Sequence, residues 1–234
     1  MGNFSFKQNL GDFGELIDGE RQDAQAEGGF MFSKSGELYD RIYGVFKDYS
    51  KEAAQVHGLI QRVKPGAKTI LDIACGTGEH AVHLGRDCSY IVDGIDLDPV
   101  LIDIAKEKNP HSSFFVGDMS SFALGKTYDV VTCLFSSIGY LKTLDNVRKA
   151  IRSFGAHLAD GGVLIVEPWF TPDSWTPGNV NLKTYEDSSL KISRMSYSER
   201  KDNISVLDFH YLIGRSGGVT YEQERHELGL FTVD

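Results

Sequence analysis

Residues 69–80 read Thr-Ile-Leu-Asp-Ile-Ala-Cys-Gly-Thr-Gly-Glu-His, and no other stretch so narrows what this chain can fold into. Thr69, Ile70, Leu71, Ile73 and Ala74 surround a single charge, Asp72, as in a parallel strand covered on both faces. Gly76 and Gly78 then let the backbone turn sharply and approach a ligand with no Cβ in the way. A strand, a tight turn and a helix start in that order build a nucleotide-shaped site, so the chain is predicted to be α/β.

Two cofactor classes use this geometry. Gly76-Thr-Gly-Glu-His-Ala81 satisfies G-x-G-x-x-G/A, and Asp96 follows about twenty residues on, as a dinucleotide fingerprint asks. A nicotinamide enzyme is therefore one reading. The frame around the glycines favours another, because a pyrophosphate loop has no evident need of the strand aspartate. Leu71-Asp-Ile-Ala-Cys-Gly-Thr-Gly78 resembles the first motif of class I S-adenosylmethionine-dependent methyltransferases. That resemblance implies a Rossmann-like fold with a mainly parallel sheet and S-adenosyl-L-methionine as cofactor. Asp72, Ala74, Cys75, Gly76, Thr77 and Gly78 would then lie around the cofactor.

Three further segments fit the family in order. Tyr90-Ile-Val-Asp-Gly-Ile-Asp96-Leu-Asp98 reads as a second strand ending in acids, with Pro99 opening a helix through Lys108. Phe114-Phe-Val-Gly-Asp118-Met119 reads as a third strand, and Tyr128-Asp-Val-Val-Thr-Cys-Leu-Phe135 as a fourth, leading into Ser136-Ser-Ile-Gly-Tyr140-Leu. By the resemblance, Asp96 takes the ribose hydroxyls, Asp118 accepts from the adenine amino group, and Leu97, Met119 and Phe135 also contact the cofactor. Taken singly, either aspartate equally suits a turn or a helix cap.

Along the chain, residues 1–35 read as a flexible arm, rich in Gly, Asp, Glu and Gln. Apolar positions then recur at helical spacing over residues 36–63, as one helix or two broken near Asp48-Tyr-Ser50. In the family such helices lid the cofactor. Residues 36–170 form the cofactor-binding core with these helices, with a helix over 145–158 before a fifth strand, Gly162-Val-Leu-Ile-Val-Glu167. Residues 171–234 depart from alternating βα: strand-like runs at 190–197, 204–213 and 219–230 are separated by Lys201-Asp-Asn203 and Gly214-Arg-Ser-Gly-Gly218. This is an antiparallel meander inserted after strand 5, serving as an acceptor cap or a homodimer contact.

The insertion narrows the resemblance. Phe115-Val-Gly-Asp-Met, Phe135-Ser-Ser-Ile-Gly-Tyr-Leu, Val166-Glu-Pro-Trp and the meander are together similar to the nucleotide-sugar N,N-dimethyltransferases that finish sugars such as desosamine and mycaminose. The resemblance covers roughly residues 38–232 and implies an acceptor amine on a thymidine-diphosphate amino sugar. In that family the chain continues past the last meander strand into a helix and two strands. Here the closing strands are expected to be missing beyond Asp234. Near the position of a cofactor-contacting tyrosine in relatives stands Phe32, leaving Tyr39 and Tyr49 for that role.

Composition agrees with a soluble enzyme acting on a small molecule. A formal net charge of −9, with no run of Lys or Arg, argues against nucleic acid as substrate. Cys75, Cys88 and Cys133 lack C-x-x-C spacing, and no membrane-length apolar run or signal-peptide core is present, so the cytoplasm is the expected compartment. His80 and His83 stand three apart, but further metal ligands are not placed, so no metal is expected. Arg225-His-Glu-Leu228 lacks the second histidine of a zinc helix.

Methyl transfer to nitrogen is an in-line displacement, so alignment is the protein's main task. The nitrogen must also be unprotonated, which calls for desolvation or a proton acceptor. Tyr140 is the first residue placed to orient the amine, followed by Glu167 and Trp169. A satisfied phenol for Tyr140 and a turn-anchoring carboxylate for Glu167 are the alternatives. His210 and Arg225 either meet an anionic substrate or belong to a solvated sheet face. For the whole chain, the remaining readings are a methyltransferase of another small amine or hydroxyl, and a cofactor-binding protein without catalysis.

Overall fold

A computed structural model describes residues 36–232. The arm expected over residues 1–35, with Phe32, and the last two residues lie outside the described residues. The first helical stretch is two helices, α1 (Gly36–Tyr43) and α2 (Tyr49–Val63). The break falls where Asp48 caps α2 by accepting from the Lys51 amide at 3.0 Å.

The core strands are β1 (Thr69–Ile73), β2 (Ile91–Asp96), β3 (Phe114–Val116), β4 (Tyr128–Cys133) and β5 (Leu158–Val166). They alternate with α3 (Glu79–Cys88), α4 (Pro99–Lys108) and α5 (Leu144–Ala156), and a 3-10 helix over Ser137–Leu141 follows β4. Local chemistry fixes α4 closely: Asp98 accepts from the Val100 amide at 2.8 Å, Pro99 opens the helix, and Lys106 and Lys108 occupy its last turn. The strands pair in parallel in the order β3-β2-β1-β4-β5. Helices cover both faces, which is why Ile70, Leu71 and Ile73 of β1 are fully buried. Strand order reverses between β1 and β4, and in open sheets of this kind the ligand crevice lies outside the carboxyl ends at that point.

One buried polar knot ties this sheet together. Asp93 on β2 accepts from Tyr128 Oη at 2.8 Å, Lys126 Nζ at 2.7 Å and the Ser113 amide at 3.1 Å. Burial pushes its carboxyl up, but the Lys126, Tyr128 and Ser113 bonds hold it below the usual range.

Beyond β5, strands β6 (Val180–Glu186), β7 (Lys191–Lys201), β8 (Ile204–Arg215) and β9 (Gly218–Gly229) form a separate antiparallel sheet in sequence order. The meander thus has one strand more than the sequence suggests. β6 escaped because it is an edge strand whose apolar residues, Val180 and Leu182, face solvent. The inner face, with Ile192, Phe209, Tyr211 and Ile213, packs on Leu38, Ile42 and Tyr43 of α1. Helix α1 is therefore held between the meander and the parallel sheet.

Candidate active site

The glycine turn leaves β1 in a conformation that sequence alone made plausible only for its glycines. Gly76 has φ +55° and Gly78 φ +75°, and Ala74, with a side chain, also has φ +55°. Across the switch point, Phe135 (φ +52°) and Ser136 (φ +60°) leave β4 in the same left-handed region. Such backbone costs about 1–2 kcal/mol per non-glycine residue and persists where the surroundings enforce it. Here the Phe135 amide donates to Glu167 Oε2 at 2.7 Å, and Ser136 Oγ donates to the Pro168 carbonyl at 2.9 Å. A Cβ added at Gly76 would meet no atom within 4 Å, so it would enter open space beside the turn.

That space belongs to a cavity of about 560 Å³ between the strand ends and the meander, within the size range of small-molecule and cofactor sites. Asp96, Asp98 and Asp118 line its sheet side. Asp96 Oδ2 accepts from the Gly76 amide at 2.9 Å and Oδ1 from the Asp98 amide at 3.0 Å, so this carboxylate also shapes the glycine turn. Burial drives the Asp96 carboxyl up, against those two backbone bonds. Asp118 Oδ1 accepts from Ser120, through its amide at 2.7 Å and its hydroxyl at 2.8 Å. A side pocket of about 30 Å³ shares Tyr39, Ala74, Gly76 and Phe135 with the cavity and adds Tyr49, Asp72, Cys75 and Thr77. Asp72 Oδ1 accepts from Thr132 Oγ1 at 2.8 Å, whereas its buried Oδ2 has no hydrogen-bond partner among the described residues. Burial raises this carboxyl also, as it does the Cys75 thiol, which therefore stays a small apolar group.

Helix α1 closes the top. Asp40 accepts from Thr77 Oγ1 and pairs with Lys108, which also reaches Glu79 at 2.6 Å. The clamp sets Tyr39 and Tyr43 into the cavity wall.

The meander supplies the opposite wall. Tyr140 Oη lies 2.9 Å from His226 Nδ1, and His226 Nε2 lies 3.6 Å from Glu224 Oε2. His226 is 1% exposed and Glu224 7%, so both are withdrawn from water. Burial, then Tyr43 and Glu224, push the Tyr140 phenol far up. Trp169 lines the cavity as well, its Nε1 donating to Ser205 Oγ at 2.7 Å.

Of the residues singled out from sequence, Tyr39, Ala74, Gly76, Asp96, Leu97, Asp118, Met119, Phe135, Tyr140 and Trp169 converge on the main cavity. Two do not line either pocket: Gly78 caps α3 against Ala105 and Asn109, and Glu167 is exposed and anchors the Phe135 turn. His210 and Arg225 lie on the outer face, bonded to Tyr221 at 2.6 Å and to Asp208 at 3.3 Å. The inner positions His226, Glu224 and Arg194 went unnoticed. Their signal was parity: His226 shares its face with Leu228 and Leu230, but charged residues on both faces of β9 blur the alternation. Among the described residues no cluster of three or more potential ligands could hold a metal ion, and no helix is long and apolar enough to cross a membrane.

Charge discriminates between the two cofactor classes. A dinucleotide would bring its pyrophosphate among Asp72, Asp96 and Asp98, whereas a sulfonium nucleoside brings a positive centre and hydroxyl and amino donors. The open space at Gly76 and the orphan Asp72 Oδ2 suit the latter. Comparison with known proteins agrees. The methyltransferase-domain family model matches residues 70–162. Over 198 residues the chain is 40% identical to dTDP-3-amino-3,6-dideoxy-alpha-D-glucopyranose N,N-dimethyltransferase of Streptomyces fradiae, covering 84% of this chain and 77% of that protein. The chain belongs to the amino-sugar N,N-dimethyltransferase family.

Solved members of that family share its architecture. DesVI of Streptomyces venezuelae superposes with a TM-score of 0.79 at 34% identity, covering 84% of each chain. SAM-bound CalS10, an amino pentose methyltransferase from Micromonospora echinaspora involved in calicheamicin biosynthesis, gives 0.75 at 31% identity, covering 89% of this chain and 86% of that one. This family member is thus a methyltransferase that uses S-adenosylmethionine and a small-molecule acceptor. Its Rossmann-like core and antiparallel second sheet match the fold expected from sequence.

Proposed function

We propose that the chain methylates the amine of a nucleotide-linked amino sugar, as the S. fradiae relative's name describes for that enzyme. In this reading the donor rests on the glycine turn, with Asp96 taking ribose hydroxyls, Asp118 the adenine amino group and Asp72 an N–H donor. Leu97, Met119, Phe135, Tyr39 and Tyr49 pack around it, and residues 171–232 wall the acceptor. When bound, S-adenosylmethionine supplies a methyl group activated by its sulfonium for in-line displacement.

The chain's own residues align the nitrogen and receive its proton. Tyr140 remains a phenol at neutral pH because its ionisation is suppressed by burial. Its oxygen accepts from the acceptor N–H while its own proton is donated to His226 Nδ1. An imidazolium formed there is stabilised by the Glu224 carboxylate. Trp169 supplies an apolar wall that excludes water, and Glu167 holds the Phe135 turn rather than touching the amine. The observation carrying this reading is the 2.9 Å Tyr140–His226 contact, located inside the cavity rather than at the surface.

The experiment is methyl transfer from S-adenosylmethionine to thymidine-diphosphate amino sugars, followed by mass spectrometry. One and then two added methyl groups on the sugar nitrogen are expected. Turnover of another small amine or hydroxyl, with none on any nucleotide sugar, would replace the acceptor assignment.

The outer meander face carries Leu182, Met195, Tyr197, Leu212 and Tyr221 in contact with solvent. Two-fold pairing of this face between copies of the chain is the assembly we propose, since one self-complementary apolar patch closes a dimer. Sedimentation as a dimer, lost in Leu212→Lys, is expected; a monomer at micromolar concentration would exclude it.

A further inference from the structure

Two side chains behind the cavity wall bear on the path of the proton, although neither Tyr211 nor Glu224 lines a pocket. Tyr211 on β8 is 2% exposed, and its Oη donates to Glu224 Oε2 at 3.2 Å. That same oxygen stands 3.6 Å from His226 Nε2, a separation too long for a hydrogen bond. Strand register makes the Tyr211 bond a diagonal one: Tyr211 is directly opposite Glu222, and Phe209 directly opposite Glu224. An aromatic side chain is long enough to span that diagonal.

The direction of this bond is fixed. Burial first, then the Glu224 charge, raises the Tyr211 phenol well above its usual range, so it keeps its proton and serves the carboxylate as a donor. Its position is fixed as well. Arg194, the direct cross-strand partner of Tyr211 on β7, is buried and hydrogen-bonds the phenols of both Tyr211 and Tyr43. The Arg194 guanidinium also lies over the Phe209 ring at 4.7 Å, and that ring packs 4.8 Å from the His226 ring. A phenol that accepts from a guanidinium while donating to a carboxylate cannot swing without losing both bonds.

We propose that Tyr211 is a positioning residue for the methyl transfer: braced by Arg194, it holds the Glu224 oxygen toward His226, where positive charge gathers as the amine's proton passes through Tyr140. This role rests on the proton relay from Tyr140 to His226 described above. A carboxylate stabilises a neighbouring imidazolium according to its distance, and one already held in place needs no rearrangement during the reaction. Tyr211 touches neither substrate, so its whole effect on the reaction runs through Glu224 and His226.

Initial rates of methyl transfer to a thymidine-diphosphate amino sugar, measured for the wild type, Y211F, H226Q and the Y211F/H226Q double variant, test this. Y211F is expected to lower kcat about tenfold, the equivalent of one hydrogen bond to a charged group, with KM for donor and acceptor unchanged. In the H226Q background the same change should leave kcat where it is, because the carboxylate then has no imidazolium to meet. Loss of packing alone would slow both backgrounds alike. R194K keeps the cation but not the planar fork, so it should lower kcat less than Y211F, and again only where His226 is present. Should Y211F fail to fold, R194K in the same cycle carries the comparison. No loss of kcat in Y211F, equal losses with and without His226, or a raised KM for the sugar would each overturn the proposal. Those results leave the relay standing so long as H226Q itself slows turnover, whereas an unchanged kcat in H226Q removes the relay and the role of Tyr211 together.

Discussion

Tyr140 and His226 come from distant parts of the chain, one after β4 and one on β9, and meet through Oη and Nδ1 at 2.9 Å. If they move one proton between them, they act as a unit. Y140F and H226Q are each expected to lower kcat by about a hundredfold, the lower range for a positioned proton acceptor. The double variant should cost little more than either alone. Additive losses in a double-mutant cycle, measured by initial rates, would mean that the two act separately.

Gly76 and Gly78 are two residues apart and should fail differently. At Gly76 a methyl group enters the cavity; at Gly78 it meets Asn109 Nδ2 at 2.9 Å and Ala105 Cβ at 3.1 Å. G76A is expected to abolish most donor binding, whereas G78A should lower Tm, with a stability loss of about 1–3 kcal/mol from strain and overpacking. Titration with S-adenosylhomocysteine beside thermal melts separates the two; equal effects on binding would contradict the packing role of Gly78.

Asp96 serves both the turn and the cavity through the amides of Gly76 and Asp98. D96A should weaken S-adenosylhomocysteine by about 1.5–3 kcal/mol, the range for hydrogen bonds to a charged group. An unchanged dissociation constant would remove the ribose assignment.

Asp93 gives a pH prediction. Its carboxyl is held below the unfolded value of about 3.9, so its contribution is present above that pH and is lost as pH falls through the folded value. D93N is expected to lose about 1–3 kcal/mol at neutral pH. The gap from wild type should narrow in acid, as followed by denaturant melts; a gap that widens below pH ~4 would refute the sign.

Much of the sheet side of the cavity was legible because it is local. The β1 run, the glycines and the Asp98-Pro99 helix start each carry their own short-range signal, and α4 begins and ends where sequence puts it. The meander side was not, because it depends on which face a strand turns inward. Arg225 and His226 are neighbours, yet one pairs with Asp208 outside and the other reaches Tyr140 inside. A shift of one residue exchanges those roles. Glu167 was ambiguous for another reason: its partner is a backbone amide, Phe135, whose left-handed conformation no side-chain pattern announces.

That bond between Glu167 and the Phe135 amide joins the exit of β5, from which the meander departs, to the turn that borders both pockets. Removing this carboxylate would therefore be felt at both ends of the bond at once. A single side chain outside both pockets thereby ties the root of one wall to the rim of the other.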